Sequence, residues 1–225
     1  MSIKQNIMQI KQNIDAACKK SGRNSDDVML LAVTKTRTAD QINEVIQCGV
    51  VNIGENRVQE LVAKYDDVSK EARWHLIGHL QKNKVKYIAD KVCMIHSADS
   101  PSLVKEIDRQ CKKIDKTMDI LIEINISGEE SKSGISPTQT DDFINEISSF
   151  SNVKVRGLMT MAPKDAPEDK LHDIFSSLCA LSKDIASKGY DNVSMDYLSM
   201  GMSGDYEVAI CEGSNIVRIG TALFR

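Results

Sequence analysis

Lys35 follows the apolar run Leu30-Leu31-Ala32-Val33-Thr34, where a buried strand would open into a loop. Such a run reads as a strand covered on both faces, which places the lysine at the strand's carboxyl end with its amine at the mouth of a site. A lysine there can form a Schiff base with a carbonyl once deprotonated, and partial burial eases deprotonation. The plain alternative is a solvated lysine that merely terminates a strand. Two other stretches suit an anion. Ser199-Met200-Gly201-Met202-Ser203-Gly204 and Arg218-Ile219-Gly220-Thr221 each sit at the end of an apolar run. Small residues in such turns leave backbone N–H groups free to point at a phosphate, although each taken alone can be only a turn. Further polar residues at strand ends are Glu55 with Asn56, His79 after Ile77-Gly78, Asn125, and the segment from Arg156 to Met159.

Bringing these groups together requires many short elements. Ile7, Ile10, Ile14 and Ala17 recur at helical spacing between Ile3 and Lys20, predicting an amphipathic leading helix that Ser21-Gly22 stops. Strand-like runs and helical stripes then alternate. Strands are expected at 30–35, 50–54, 73–78, 91–96, 119–126, 153–159, 193–198 and 215–219. Helices are expected at 39–48, 58–65, 83–89, 102–113, within 137–150, at 169–187 and at 205–211. Eight strand and helix units over about 200 residues match a closed (β/α)8 barrel in count and size. The rival is a doubly wound open sheet, but eight units would make it wide, and no G-x-G-x-x-G follows the first strand. The expectation is an α/β protein, a TIM barrel forming a single domain over 1–225 with an extra N-terminal helix. A barrel gathers all its strand ends on one face, and its phosphate sites frequently use the loops after strands seven and eight.

Composition narrows the partners. Hydrophobic residues are 41%, charged residues 27%, and the formal net charge is -3, so there is no electrostatic reason to expect nucleic acid or an anionic membrane. The start Met1-Ser2-Ile3-Lys4-Gln5-Asn6 is polar and no apolar stretch reaches the roughly 18 residues needed to span a bilayer, which makes a cytoplasmic location the expectation. The six cysteines are scattered, with no C-x-x-C pair and no histidine at metal-ligand spacing, so neither a metal site nor a disulfide framework is expected.

A lysine on the first strand, an anion nest after the seventh and eighth, and Arg218 nearby describe a holder for pyridoxal 5′-phosphate. The same residues carry a family resemblance. Ala32-Val33-Thr34-Lys35-Thr36, Ile53-Gly54-Glu55-Asn56-Arg57-Val58-Gln59-Glu60, Trp74-His75-Leu76-Ile77-Gly78-His79-Leu80-Gln81-Lys82-Asn83-Lys84, Arg156-Gly157-Leu158-Met159, Leu198-Ser199-Met200-Gly201-Met202-Ser203 and Val217-Arg218-Ile219-Gly220-Thr221 closely resemble the YggS/PROSC family of pyridoxal phosphate homeostasis proteins. That family resembles the N-terminal barrel of alanine racemase standing alone. The resemblance implies that Lys35 carries the cofactor as a Schiff base, that Asn56 lies near the ring, and that Arg218 faces the pyridine nitrogen. It also implies phosphate contacts from Ser203 and Gly220-Thr221, with Met202 among the cofactor-binding residues.

Arg218 can only donate hydrogen bonds, so a ring nitrogen facing it stays unprotonated and is a poorer electron sink. Racemases of the resembled fold take a tyrosine base from a second domain, for which no residues remain in this sequence. The expected function is therefore intracellular homeostasis of pyridoxal phosphate, as a carrier or regulator and not a robust enzyme. The alternative is an amino-acid racemase dependent on pyridoxal phosphate, and a third reading is a barrel hydrolase or aldolase using Lys35 on a sugar phosphate. Expected partners are pyridoxal phosphate, the apo-enzymes that use it and free amino acids, with the protein a monomer or weak dimer.

Overall fold

A computed structural model describes residues 2–129 and 132–225. The leading helix α1, Ile3–Lys20, opens on a capping box in which Ser2 and Gln5 satisfy each other's backbone N–H groups. It lies outside the sheet, where Asn6 donates to the carbonyls of Leu223 and Arg225, each at 3.0 Å. Strand and helix then alternate: β1 Met29–Val33, α2 Ala39–Gln47, β2 Asn52–Glu55, α3 Val58–Lys64, β3 Arg73–Leu76, β4 Val92–Ala98, α4 Pro101–Lys112 and β5 Met118–Glu123. After these come α5 Thr140–Ile147, β6 Val153–Met159, α6 Glu168–Lys188, β7 Val193–Ser199, α7 Tyr206–Cys211 and β8 Ile216–Ile219. The strands close into one barrel in sequence order, β8 pairing with β1. Among the described residues no helix is long and apolar enough to cross a membrane.

Every strand pairing is parallel, from β1 with β2 around to β7 with β8. All carboxyl ends therefore share one face. Two apolar layers hold the barrel. Ala32, Ile53, Leu76, Ile95, Ile122, Leu158, Val217 and Ile219 belong to the large core that also takes in Ile42, Leu61, Leu103, Phe175 and Leu178 from the helices. Leu31, Val33, Ile77, Met94, Leu121, Met159 and Ile216 form a second cluster inside the barrel. Strand side chains alternate between faces, so Leu31 and Val33 extrapolate to Lys35 on the inner register, as Ile216 does to Arg218. Burial on both faces is why the strands read as unbroken apolar runs.

Two expected elements differ. The basic helix foreseen at 83–89 is a 3-10 segment, Lys82–Tyr87, in which Val85 is the buried residue. With no apolar stripe to hold it against the sheet, a longer α-helix gains nothing there. The fifth strand ends at Glu123 and not at Ile126, because the chain turns away to form an isolated bridge between Ile124 and Ile135.

Candidate functional site: the carboxyl-terminal mouth of the barrel

Lys35 stands beyond the end of β1 in an exposed turn, and its amine makes no hydrogen bond or ion pair among the described residues. Asn56 follows β2 and is half-buried. The chain there lies so close to the next strand's loop that a Cβ added at Gly78 would come within 2.8 Å of the Asn56 Cα, which is the physical requirement for glycine at that position. His79 is exposed on the same rim, with Nδ1 3.3 Å from Asp99 Oδ2.

The two stretches expected to cradle an anion do meet. Ser203, between β7 and α7, accepts a hydrogen bond at 3.2 Å on its Oγ from the backbone N–H of Ala222, just past β8. Gly201 adopts a φ of +92°, and a Cβ there would press within 2.7 Å of the Ala209 Cβ. Only glycine lets the loop fold that tightly back over α7. The Asp205 carboxylate accepts from the Met202 N–H and so fixes the loop's entry. Among the described residues, the backbone N–H groups of Ser203, Gly204 and Thr221 donate to nothing. The Ser203 hydroxyl hydrogen is likewise free, since its oxygen is the acceptor from Ala222. Met202 and Thr221 are exposed and Gly220 half-buried, all at the same opening. Unpaired donors that converge on solvent are what an anion requires.

Arg218 is buried on β8 inside the barrel, at 4% exposure. Its Nη1 donates to the carbonyl and to the hydroxyl oxygen of Ser199, each at 2.7 Å, and its Nη2 donates to the Thr160 carbonyl at 2.9 Å. Guanidinium has five N–H donors, so among the described residues the Nε hydrogen and one Nη2 hydrogen remain unused. Burial lowers its pKa to about 10, against the opposing pull of Asp205 and Glu123, which leaves it protonated at neutral pH. The network continues across the barrel. His96 Nδ1 lies 3.0 Å from Ser199 Oγ, His96 Nε2 lies 3.0 Å from His75 Nδ1, and His75 Nε2 lies 3.3 Å from Asn52 Oδ1. Because Arg218 can only donate, the Ser199 hydroxyl must pass its own hydrogen to His96 Nδ1. Each imidazole then carries its proton on Nε2, and Asn52 Oδ1 is the last acceptor. Both rings are neutral: burial, with Arg73 adding to it, pushes His75 down to about 3, and burial, His75 and Arg218 hold His96 well below its ordinary value.

Several sequence-derived rim residues fall elsewhere. Arg156 is at the middle of its strand, not its end, and is bonded to Asp196 at 2.9 Å and Asp119 at 3.1 Å. The Asn125 amide is spent inside its own loop, donating to the Glu129 carbonyl and accepting from Ser127 and Gly128. Glu55 points outward toward α3, where it meets Lys64 at 2.8 Å. Conversely, Glu123 was missed. It ends β5 one inward position beyond Leu121, is 3% exposed, and its carboxyl makes no hydrogen bond or ion pair among the described residues. Burial, then the Asp99 carboxylate, raises its pKa to about 7, with Arg218 pulling the other way.

The mouth thus joins a primary amine and converging backbone N–H groups, both without partners among the described residues, with a buried donor-only cation. A family model described as the N-terminal domain of alanine racemase matches residues 5–225. The chain belongs to that family. Two relatives named pyridoxal phosphate homeostasis protein, from Aquifex aeolicus and Vibrio cholerae, are 42% and 40% identical over 226 and 229 residues. These matches cover 100% and 99% of this chain and 98% and 95% of those proteins. The structure of PipY from Synechococcus elongatus with PLP bound matches at a TM-score of 0.87 and 27% identity, covering 100% of both chains. Full-length agreement at this level shows a shared barrel fold.

Proposed function

We propose that this chain binds pyridoxal 5′-phosphate in the barrel mouth and serves its homeostasis as a carrier or regulator. The observation that carries the reading is the convergence of a partnerless Lys35, the unpaired amides around Ser203 and Thr221, and the two unused donors of Arg218. When bound, pyridoxal 5′-phosphate supplies an aldehyde that condenses reversibly with a primary amine. Lys35 provides that amine. The Ser203 hydroxyl, the Gly204 and Thr221 amides and the Thr221 hydroxyl would hold the phosphate, with Met202 and Gly220 beside them at the same opening and Asn56 near the ring. Arg218 offers only hydrogens, so a ring nitrogen set against it remains an acceptor and draws electrons weakly.

That last property separates a carrier from a catalyst. A site that anchors the ring firmly, withholds a proton from its nitrogen and leaves the anchoring amine open to solvent favours exchange with an incoming amine over chemistry at an amino acid's alpha carbon. The unit is one domain over 1–225, acting in the cytoplasm as a monomer or weak dimer, with free amino acids or the lysines of apo-enzymes as the amines that take the cofactor away. A racemase is the second reading, favoured by the family model and by the buried Glu123 acid at the mouth. The loaded protein is mixed with excess D- or L-alanine in deuterated water, and release, inversion and alpha deuteration are followed together. Release without alpha exchange supports the carrier. Inversion over many turnovers, lost in Lys35→Ala, would replace it with the racemase.

A further inference from the structure

Glu55, at the end of β2, has 0% exposure and faces away from the mouth. Its Oε1 accepts from the Thr34 hydroxyl and from Lys64 Nζ, each at 2.8 Å, while Oε2 is buried with no partner. Lys64, on α3, also donates to the Thr34 carbonyl at 3.1 Å and lies 3.8 Å from Glu60. Glu60 in turn accepts from the backbone N–H of Thr36 at 3.1 Å and has Arg57 3.7 Å away. The residues on both sides of Lys35 are therefore tied down. Thr34 is held by Glu55 and Lys64, Thr36 by Glu60, and Lys35 between them is left free.

The backbone gives the reason such a clamp is needed. Thr36 has a φ of 62°, a left-handed conformation that a β-branched residue keeps only under constraint, at a cost on the order of 1–3 kcal/mol. An extended continuation of β1 would be the relaxed path for Thr36. The turn instead closes with the Arg37 N–H on the Thr34 carbonyl at 3.0 Å, the same oxygen that Lys64 grips. Glu55 and Lys64 meet outside the barrel wall, and the Glu55 carboxylate is committed through Oε1 to Lys64 and Thr34.

We propose that Glu55, Lys64 and Glu60 are positioning residues for Lys35: the ion cluster behind the barrel wall holds the strained turn that aims the amine into the mouth. This rests on the reading of Lys35 as the amine that takes the cofactor's aldehyde. The cluster contributes to capture by the amine and nothing to the phosphate nest on the far loops.

The test compares two ligands on wild type, Lys64→Met and Glu60→Ala: pyridoxal 5′-phosphate, and pyridoxine 5′-phosphate, whose hydroxymethyl group cannot condense with an amine. Each variant is expected to hold pyridoxine phosphate as wild type does and to lose about tenfold in retention of pyridoxal phosphate. Adding Thr36→Gly to Glu60→Ala, which removes the strain that Glu60 opposes, is expected to restore much of that loss. Equal losses for both ligands, or no loss for either, would overturn the proposal. Lys64→Met strands a buried carboxylate and risks unfolding; Glu60 is partly exposed, so its variant carries the test in that case. Wild type that binds pyridoxine phosphate but forms no adduct at Lys35 would instead overturn the functional reading itself, before any variant is compared.

Discussion

Glu123→Gln isolates a buried carboxyl at the mouth. In the wild type, burial and Asp99 raise this group from 4.5 to about 7. Below the lower value it is protonated in the folded and unfolded chain alike and costs nothing. Between the two values the unfolded chain releases the proton while the folded chain keeps it, so stability falls as pH rises, and the full cost is present above about 7. The size of the change corresponds to about 3 kcal/mol. Glutamine has nearly the same shape and never ionises. Any offset from the amide itself is independent of pH. The readout is therefore the slope: the stability of the variant minus that of wild type should rise by about 3 kcal/mol between about pH 4 and pH 8. His75 and His96 act in the opposite sense, because their lowered pKa values make stability rise with pH up to their unfolded value. They are present in both proteins and cancel in the difference. Urea unfolding across that range, with the slope on denaturant checked for constancy, gives the number. A difference that does not vary with pH would refute the placement of Glu123 as a buried, unpaired acid.

On the proposed reading Ser203→Ala and Thr221→Ala each remove a phosphate donor, the former also the acceptor of the Ala222 N–H, so retention of pyridoxal phosphate should weaken tenfold or more while pyridoxal is less affected, by roughly 1.5–3 kcal/mol per charge-assisted bond. Equal losses for the two ligands in equilibrium dialysis would show that these residues do not touch phosphate. Nitrogen NMR of His75 and His96 should find both rings neutral and protonated on Nε2 down to about pH 5, and a titration near the ordinary histidine value in either ring would break the directional chain from Arg218. Gly157→Ala should destabilise the barrel by several kcal/mol, on the order of 3 or more, because φ is +151° and the new Cβ would meet the Tyr197 carbonyl, with its carbon at 2.7 Å. A thermal midpoint close to wild type would contradict the β6 to β7 contact.

The barrel was legible because parallel strands buried on both faces announce themselves as apolar runs, and because Ser21-Gly22 marks the end of the leading helix. The same property hid which way each side chain points. In β2 there is no alternation of apolar and polar residues to reveal that Gly54 looks into the barrel and Glu55 toward α3. The chain Asn52, His75, His96, Ser199 and Arg218 links five strands whose registers shift at irregularities between Trp74 and His75 and between Ile95 and Ala98. Such shifts carry no local signal in composition. Glu123 did leave a trace, a single carboxylate within Ile120-Leu121-Ile122-Glu123-Ile124, since a charge inside a strand buried on both faces needs a reason. Asn125 misled for the converse reason: a strand-end amide is as well satisfied by its own turn as by a ligand.

The central claim is that Lys35 is the amine that holds pyridoxal phosphate in the mouth. Incubation with the cofactor, borohydride reduction and peptide mapping test it most directly. The account predicts a visible absorption band before reduction and a phosphopyridoxyl label on Lys35 afterwards, with both absent in Lys35→Ala. A label found mainly on Lys64, Lys132 or any other lysine, with Lys35 unmodified, would contradict it.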